Sequence, residues 1–368
     1  MMDHYDITME RRMISRAVEK QFPINGSLEL LPLCNMNCDM CYVRMDPSEV
    51  EKQGGLHTAD EWMNLAEEMA DAGVLFLLLT GGEPLLFPDF KRLYLRLKEL
   101  GMILTINTNG TLINKEWADF FRENKPRRIN ITLYGSDNDA YEKLCHYSKG
   151  FDRTIQAIQL LKERKIEVKI NGSVTKENWK DVDKIYAIGK KLDAPVHMDT
   201  YMLPGIKERH LPLEQQSRLS PEDAARAEFQ TKRAETIPEI FQQYVERTIF
   251  KLENQDIVYP NHISCLAGNC SFAVNWQGEM RPCVTFTEPS VPVFETGFQT
   301  AWEKISKQSK DFHFHKKCTT CPYRPVCKIC AASAYLETGS YDGIPEYLCR
   351  YAEEYSRLLT QERDKYHK

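Results

Sequence analysis

The sequence predicts an α/β fold followed by a cysteine-rich C-terminal segment. Strand-like apolar runs alternate with helical patterns between residues 25 and 204, and eight of the twelve cysteines lie between Cys265 and Cys349. Strands that alternate with helices pair in parallel through right-handed crossovers. Six such units are too few for a closed eight-unit barrel, so the pattern indicates a partial barrel or an open curved sheet.

Local signals predict the individual elements. Thr58 and Glu61 form a capping box that starts the first helix of the alternation, and Gly73 ends that helix. The apolar run that follows predicts a strand buried on both faces. The predicted strands cover residues 27–33, 74–80, 102–108, 128–134, 167–174 and 196–201, and the predicted helices cover 58–72, 89–100, 115–123, 151–164, 179–192, 237–252 and 347–364.

Composition divides the chain into four predicted regions. They are an N-terminal extension (1–24), the α/β region (25–204), a linker with bridging helices (205–258) and the cysteine-rich region (259–368). Polar residues and charge runs in 211–236 predict a linker with one or two exposed helices. The cysteine-rich region holds little apolar material for a core of its own, so metal sites would supply its stability.

Charge and hydropathy exclude several classes of protein. The net charge is −5, and Lys and Arg are scattered among acidic residues, which argues against nucleic-acid binding. Neither a membrane-spanning run nor a targeting segment is recognisable. We therefore expect a cytoplasmic protein, and in that reducing compartment metal binding is a better explanation of the cysteines than disulfides.

Cys34, Cys38 and Cys41 directly follow the first predicted strand. A cubane iron–sulfur cluster needs four protein ligands to be closed, and no fourth cysteine occurs before Cys145. One iron would therefore stay open to substrate or cofactor. The alternative is a zinc site completed by a distant ligand, although structural zinc sites normally use paired Cys-x-x-Cys elements.

Gly81, Gly82, Glu83 and Pro84 follow the second predicted strand. Loops at the C-terminal ends of parallel strands are where such folds bind ligands, and two glycines let the backbone approach a ligand closely. Tyr42, after the third cysteine, could stack on a planar group or belong to the core.

The cysteine triplet and the Gly-Gly-Glu-Pro loop together resemble the radical S-adenosylmethionine (SAM) family over residues 25–204. The resemblance implies a partial (β/α)6 barrel and a [4Fe–4S] cluster whose open iron binds SAM. It also implies that residues 81–84 bind the methionyl amino end of SAM. Asn109 and Thr132 fall where the family often contacts cofactor or substrate, although a turn and a strand position also explain them.

The order of the C-terminal cysteines resembles the SPASM extension of this family. The resemblance implies a nearer auxiliary cluster on Cys265, Cys270, Cys283 and Cys330, and an outer one on Cys318, Cys321, Cys327 and Cys349. Three [4Fe–4S] clusters then use eleven cysteines and leave Cys145 over. The spacing Cys327-x-x-Cys330 is one residue shorter than is common, and one or two zinc sites are the alternative.

Proteins with this layout generally modify peptides or proteins. We therefore expect a maturase that crosslinks a ribosomally made peptide, with formylglycine formation in sulfatases, peptide epimerisation and a non-catalytic zinc or iron–sulfur protein as alternatives. Anaerobic sulfatase maturases have an acidic residue after the third SPASM cysteine, where this chain has Val284. Asp199 or Tyr201 could supply a base instead, and Cys145 a hydrogen donor for epimerisation.

The expected partners follow from this chemistry. A peptide or protein is the substrate, and a carrier such as flavodoxin or ferredoxin donates electrons. The residues before the first predicted strand are too few for a leader-binding domain. A precursor peptide would then be caught by a separate leader-peptide-binding protein, by the barrel or by the SPASM segment.

Overall fold

The computed structural model describes residues 9–204, 211–254, 258–262 and 265–367. Residues 1–8 of the predicted N-terminal extension and 205–210 of the predicted linker lie outside the described residues. The described strands are β1 (Asn25–Glu29), β2 (Phe76–Thr80), β3 (Ile103–Thr108), β4 (Arg128–Thr132), β5 (Val168–Ser173), β6 (Val196–Asp199), β7 (Ser271–Val274), β8 (Glu279–Arg281) and β9 (Val291–Pro292).

Helices connect these strands. In order they are α1 (Met9–Lys20), α2 (Pro47–Lys52), α3 (Ala59–Asp71), α4 (Phe90–Glu99), α5 (Lys115–Glu123), α6 (Asn138–Cys145), α7 (Gly150–Glu163), α8 (Val182–Lys191), α9 (Pro221–Glu235), α10 (Pro238–Glu253), α11 (Val293–Thr296), α12 (Phe298–Ser309), α13 (Lys316–Thr319), α14 (Ala331–Thr338) and α15 (Glu346–Tyr366). The predicted mixed α/β fold with parallel strands is confirmed.

The first of two compact units contains the described parts of residues 1–33, 45–106 and 263–312. Strand β1 pairs in parallel with β2 on one side and with β7 on the other. Strand β2 also pairs in parallel with β3, and the hairpin strands β8 and β9 extend the sheet beyond β7. Helices α3, α4 and α12 belong to this unit, and Trp62, Leu93 and Phe298 contribute buried side chains to its core.

The second unit contains residues 34–44 and the described parts of 107–262 and 313–368. Its strands β4, β5 and β6 are parallel, in the spatial order of the chain. Helix α15 packs against α9 and α10, with Tyr351, Tyr355 and Leu359 buried. Both units are discontinuous in sequence, and the predicted boundaries at 24, 204 and 258 stay a prediction.

Local signals were most accurate where capping fixes a helix end. The capping box forms as predicted: Thr58 Oγ1 accepts from the Glu61 N–H at 3.2 Å, and Glu61 Oε2 accepts from the Thr58 N–H at 2.7 Å. Gly73 has φ 88°, a left-handed conformation that suits glycine at a helix end. Helix α5 has the predicted bounds.

Other predictions were wrong in detail. Strand β1 ends at Glu29, so the residues up to 33 are not strand. Strand β2 alternates between half-buried and buried residues and is not buried on both faces. Helix α9 buries Ala224, Ala225 and Glu228, so it is not an exposed linker helix.

The C-terminal region holds more apolar material than expected. Helix α12, which was not predicted, buries Phe298, Trp302 and Ile305. Helices α1 and α2 were also not predicted, because α1 is rich in charged residues and α2 is short. In the part of the chain that the structure describes, no helix is long and apolar enough to cross a membrane.

Candidate functional site

The cysteine triplet lies in an irregular loop at the start of the second unit. Cys38 is 7% exposed, and its carbonyl accepts a hydrogen bond from the Cys41 N–H at 3.1 Å. The end of α6 holds both sides of Cys38, because the N–H groups of Asn37 and Asp39 donate to the carbonyls of Cys145 and Leu144, each at 3.1 Å. These carbonyls belong to the last turn of a helix, where they have no partner within the helix.

Hydrogen-bond donors point at the loop's sulfur atoms. The Met36 N–H donates to Cys34 Sγ at 3.4 Å, and the Arg44 N–H donates to Cys41 Sγ at 3.3 Å. The side-chain amide of Asn109 lies 3.7 Å from Cys34 Sγ. Such donors stabilise thiolates and tune iron–sulfur clusters, so this donor set fits the three-cysteine cluster that the sequence predicts.

Asn109 is the centre of a network that fixes the loop. Its Nδ2 donates to Asn35 Oδ1 at 2.9 Å, and its Oδ1 accepts from the Thr111 N–H at 2.9 Å and the Thr111 hydroxyl at 2.7 Å. Asn35 Nδ2 in turn donates to Thr111 Oγ1 at 2.8 Å. Asn109 therefore orients Cys34, and the predicted contact of its side chain with cofactor or substrate stays a prediction.

Sequence reasoning missed Asn35 and Thr111. The Asn-Gly-Thr sequence that contains Thr111 gave a partial signal, since an Asn side chain that accepts from the N–H two residues on is a common turn. No local signal links this turn to Asn35, which lies 74 residues before Asn109.

Cys145 is fully buried at the end of α6. Its thiol is in hydrogen-bond contact with Cys38, and this contact together with burial raises its pKa well above the ordinary value for a thiol. Tyr42 is 44% exposed, and Thr132 ends β4. The roles predicted for Tyr42 and Thr132 stay predictions.

The Gly-Gly-Glu-Pro loop lies in the first unit, against the segment that precedes Cys34. The Gly82 N–H donates to the Leu31 carbonyl at 2.7 Å, and the Glu83 N–H donates to the Leu33 carbonyl at 2.8 Å. A Cβ on Gly82 would lie 2.2 Å from the Leu33 carbonyl oxygen. Glycine is required here by this close backbone approach.

Glu83 is fully buried, and Pro84 begins a short 3₁₀ turn. The Glu83 carboxylate caps that turn by accepting from the Leu85 N–H at 3.2 Å. Binding of the methionyl end of SAM by residues 81–84 stays a prediction.

The C-terminal cysteines divide between the two units. Cys265, Cys270 and Cys283 are in the first unit, and burial, with a smaller effect of Cys265, raises the pKa of Cys270 to about 11. The second unit holds the other five: Cys318, Cys321, Cys327, Cys330 and Cys349.

The four cysteines predicted to hold the outer cluster lie near one another. Burial raises the pKa of Cys327 to about 11, and the nearby Cys349 and Cys321 add to this effect. Burial also raises the pKa of Cys349, with further contributions from Cys318 and Cys321. That these four cysteines hold one closed cluster stays a prediction.

Among the residues that the structure describes, no three His, Cys, Asp or Glu side chains form a site for a single metal ion. That finding concerns mononuclear sites. The thiolates of a cubane each bind a different iron, so their sulfur atoms need not share one centre.

A buried ion pair fixes the loop between Cys327 and Cys330. Lys328 Nζ lies 2.6 Å from Glu228 Oε2, and the Thr200 hydroxyl donates to the same oxygen at 2.6 Å. Burial alone raises the pKa of Glu228, but Lys328 and these hydrogen bonds bring it below the ordinary value of 4.5. Sequence patterns gave no sign of this pair, which joins residues 100 positions apart.

We expect Lys328→Met to destabilise the protein by about 2–3 kcal/mol near pH 7.5, because it leaves the buried Glu228 carboxylate without its cation. This figure is below the full cost of breaking a buried pair, since the Lys328 side chain is 32% exposed. The wild-type pair contributes its stability above pH 4.5 and loses it as the pH falls through the lower folded pKa of Glu228.

Without Lys328, burial dominates and raises the pKa of Glu228, so the variant takes up a proton as the pH falls. The destabilisation should therefore shrink as the pH approaches 5, and the matched Lys328→Met/Glu228→Gln double variant should recover part of the loss at pH 7.5. Urea denaturation at both pH values measures the free energy of unfolding of each variant. A single variant as stable as the wild type at pH 7.5 would contradict the role of the pair.

Tyr201 and Asp199, the bases considered from the sequence, have different surroundings. The Tyr201 hydroxyl donates to Glu337 Oε1 at 2.9 Å, and burial raises the pKa of Tyr201 far above its ordinary value. A phenol in this state keeps its proton and does not act as a base at neutral pH. Asp199 is exposed and lies 3.6 Å from His197.

A cavity of about 570 Å³ lies within the second unit. Asn37 and Asp39, the neighbours of Cys38, form part of its wall. The other lining residues are Lys176, Glu177, Leu211, Glu214, Gln215, Gln216 and Ser217. All of the lining residues except Leu211 are polar or charged.

The chain is similar to several known proteins. Residues 28–188 match the model of the radical SAM superfamily. An AdoMet-dependent heme synthase of Methanosarcina barkeri is 27% identical over 332 residues, which cover 85% of this chain and 92% of the relative. A cysteine-type anaerobic sulfatase-maturating enzyme of Clostridium novyi is 25% identical, with 80% of this chain and 84% of the relative covered.

A solved structure has the same fold. Streptococcus suis SuiB bound to the precursor peptide SuiA superposes with a TM-score of 0.66 at 18% identity, over 92% of this chain and 80% of that one. The domain match and the relatives that are enzymes together identify a SAM-dependent enzyme. Residues 28–188 match a radical SAM domain, and this match implies SAM and a [4Fe–4S] cluster. The alternative of a non-catalytic metal-binding protein is set aside.

Proposed function

We propose that this enzyme is a radical SAM/SPASM maturase that oxidatively crosslinks a ribosomally made peptide through a thioether, ether or carbon–carbon bond. The observation that carries the proposal is the polar cavity whose wall includes both neighbours of Cys38. A peptide backbone presents an N–H and a carbonyl at nearly every residue, and each needs a partner when it leaves water. A polar wall supplies such partners.

Gln216 gives this cavity a specific acceptor. Its side chain is 9% exposed, and its Nε2 donates to the Leu211 carbonyl at 2.8 Å. Within the described chain its Oε1 is buried and has no hydrogen-bond partner. Rotation of this side chain would offer Oε1 to a donor from a ligand, such as a peptide N–H.

In the proposed reaction, Cys34, Cys38 and Cys41 hold the first cluster, and the eight C-terminal cysteines hold two auxiliary clusters. When bound, these clusters supply one-electron chemistry: cleavage of SAM to a 5′-deoxyadenosyl radical, and uptake of the electron released when the crosslink closes. The chain itself positions the thiolates through Asn109 and the end of α6, and it lines the cavity with hydrogen-bonding groups.

Formylglycine formation and peptide epimerisation fit this chain less well. Val284 stands where a sulfatase maturase has its acidic residue, and Tyr201 is a poor base. Cys145, the thiol left over for hydrogen donation in an epimerase, is fully buried against Cys38.

A tetrapyrrole substrate is the second candidate, because a relative that covers 85% of this chain is named a heme synthase. A porphyrin is a large apolar plane, and proteins hold one with an apolar pocket and an axial His, Cys, Met or Tyr. The cavity lining contains one apolar residue and none of these ligands. The cavity therefore favours the peptide.

The test uses the full chain, reconstituted anaerobically with iron and sulfide. We expect roughly twelve iron atoms per chain if three cubane clusters assemble, and formation of 5′-deoxyadenosine with SAM and dithionite. Short peptides encoded near the gene, a sulfatase-derived peptide and iron coproporphyrin are then supplied in parallel.

Loss of two hydrogens from a peptide, with a new bond located by fragmentation, is the expected result. Conversion of the porphyrin alone, or of the sulfatase peptide alone, would replace this proposal by the corresponding alternative. The enzyme is also expected to need an electron donor of the flavodoxin or ferredoxin type.

A further inference from the structure

Strands β4 and β5 of the second unit carry two cations on one face of their sheet. Asn130 is the register partner of Lys169, and Arg128 lies two residues before Asn130 on β4. Side chains two residues apart on a strand share a face, as do register partners on neighbouring strands. Arg128 and Lys169 are both half-buried. The opposite face of the two strands carries fully buried apolar side chains, among them Ile129 and Ile170.

Hydrogen bonds direct the Arg128 side chain along the strand toward the level of Lys169. Arg128 Nε donates to Asn130 Oδ1 at 2.9 Å, and Asn130 Nδ2 donates to Asn107 Oδ1 at 2.7 Å. Asn130, the register partner of Lys169, is thus fixed from both sides. The guanidinium group therefore lies on the same part of this face as the Lys169 side chain.

The two positive charges have no anion beside them. Within the described chain, neither Arg128 nor Lys169 forms an ion pair. The carboxylates of Asp199 and Glu235 attract Lys169 from a distance, and they lie 3.6 and 3.5 Å from the His197 ring. Burial and Arg128 outweigh them and lower the pKa of Lys169 below its ordinary value. Neighbouring like charges that are partly buried destabilise a fold, and an anionic ligand would supply the missing charge.

The same face offers an acceptor two residues further along β5. Asn171 is in register with Thr132 and with His197, and its Oδ1 is buried without a hydrogen-bond partner among the described residues. Two residues of a strand span roughly 6.6 Å. A ligand that satisfies both features has a carboxylate at one end and an N–H donor about this far away. The side-chain carboxylate and the backbone N–H of one Glu residue are such a pair.

We propose that Arg128 and Lys169 bind the carboxylate of an acidic residue in the peptide substrate, while Asn171 accepts a hydrogen bond from the backbone of that residue. A guanidinium and an ammonium group together match the charge and the two oxygens of a carboxylate. Strand β5 ends at Ser173, three residues before Lys176 in the wall of the polar cavity. One extended peptide can therefore reach both places. The inference rests on the proposed function, because it takes the occupant to be a peptide.

The first test measures binding without turnover. The blocked peptide acetyl-Ala-Glu-Ala-amide and its uncharged counterpart with Gln are titrated into the reconstituted full chain by calorimetry at low salt. We expect the Glu peptide to bind about tenfold more tightly, as for a charge-assisted hydrogen bond. Lys169→Met and Arg128→Met should lose this preference. Lys190→Met is the matched control and should keep it, because Lys190 is exposed on α8.

A second readout separates a binding pair from a structural one. Lys169→Met removes one of two repelling charges and keeps most of the side-chain volume, so the ligand-free variant should resist urea at least as well as the wild type. A lysine that served the fold would give a less stable variant. A saturating concentration of the Glu peptide should raise the urea midpoint of the wild type and leave that of Lys169→Met unchanged.

Equal binding of the two peptides by the wild type, or no binding of either, would overturn the inference. A Glu preference that persists in both variants, or a less stable Lys169→Met protein, would do the same. Iron coproporphyrin is titrated in parallel, because its propionates are also carboxylates. If only the porphyrin binds in a Lys169-dependent way, the assignment to a peptide is wrong. Failure of the proposed function looks different: no peptide is modified, while the wild type still prefers the Glu peptide.

Discussion

Replacing Cys38 with serine is expected to abolish 5′-deoxyadenosine formation, down to the level of a protein-free control. Serine is a poor ligand for iron and keeps nearly the same volume, so the loop loses one of its three thiolates without a steric change. The backbone bonds from Asn37 and Asp39 to α6 do not involve the side chain, so the loop should keep its position. Mass spectrometry after anaerobic incubation with SAM and dithionite measures the product.

The matched control is Cys349→Ser in the outer set. Its iron content should fall from roughly twelve to roughly eight atoms per chain, as for loss of one cubane, while SAM cleavage by the first cluster continues. A Cys38→Ser enzyme that still makes 5′-deoxyadenosine would show that the cysteine loop is not required for SAM cleavage. Equal losses of SAM cleavage in both variants would show that the two cysteine sets are not functionally separate.

Gly82→Ala is expected to reduce both the stability of the protein and SAM cleavage. The new Cβ would lie 2.2 Å from the Leu33 carbonyl oxygen and 2.8 Å from that of Pro32. Both neighbours are backbone, so no rotamer change relieves the contact, and we expect a loss of about 2–3 kcal/mol of folding free energy. Cys34 follows Leu33 directly, so the shift should also reduce SAM cleavage about a hundredfold, as for a misplaced reacting group.

Urea denaturation and the 5′-deoxyadenosine assay measure the two effects. Gly55→Ala is the control, because a Cβ there meets nothing within 4 Å. Its φ of 79° makes alanine cost about 1 kcal/mol, with full activity retained. Gly82→Ala protein with normal stability and activity would show that neither folding nor SAM cleavage depends on the close backbone approach.

The sequence predicted the parts of the fold that local rules decide. The capping box at Thr58 and the glycine at 73 fix α3, and apolar runs between turns locate the strands of the alternation. The burial of helix α9 was not predicted, because its buried face consists of alanines, threonine and an acidic residue rather than large apolar side chains. Its burial depends on packing against α15, which begins more than 100 residues later.

The candidate site also has parts that short-range sequence patterns predict and parts that depend on long-range contacts. The spacing of Cys34, Cys38 and Cys41 and the Gly-Gly-Glu-Pro loop are short-range patterns, and they identified the chemistry. The groups that orient the thiolates are not local: Asn109 reaches Cys34 across 75 residues, and Cys145 reaches the loop across more than 100. A single sequence contains no signal for such contacts, so only the structure could assign Asn109 and Cys145 to the loop.

The position of Cys349 in the first turn of α15 links the docking of this helix to the filling of the proposed outer cluster site. Helix α15 is tied to the segment before α9 by the Tyr347 hydroxyl, which donates to the Leu219 carbonyl at 2.8 Å, and to α9 itself by Arg350, which binds Glu222 at 2.9 and 3.1 Å. Docking of this helix therefore presents the fourth outer thiol. If Cys349 is a ligand of the proposed outer cluster, occupancy of that site strengthens the docking of α15 by thermodynamic linkage. Limited proteolysis should then remove α15 first from iron-free protein.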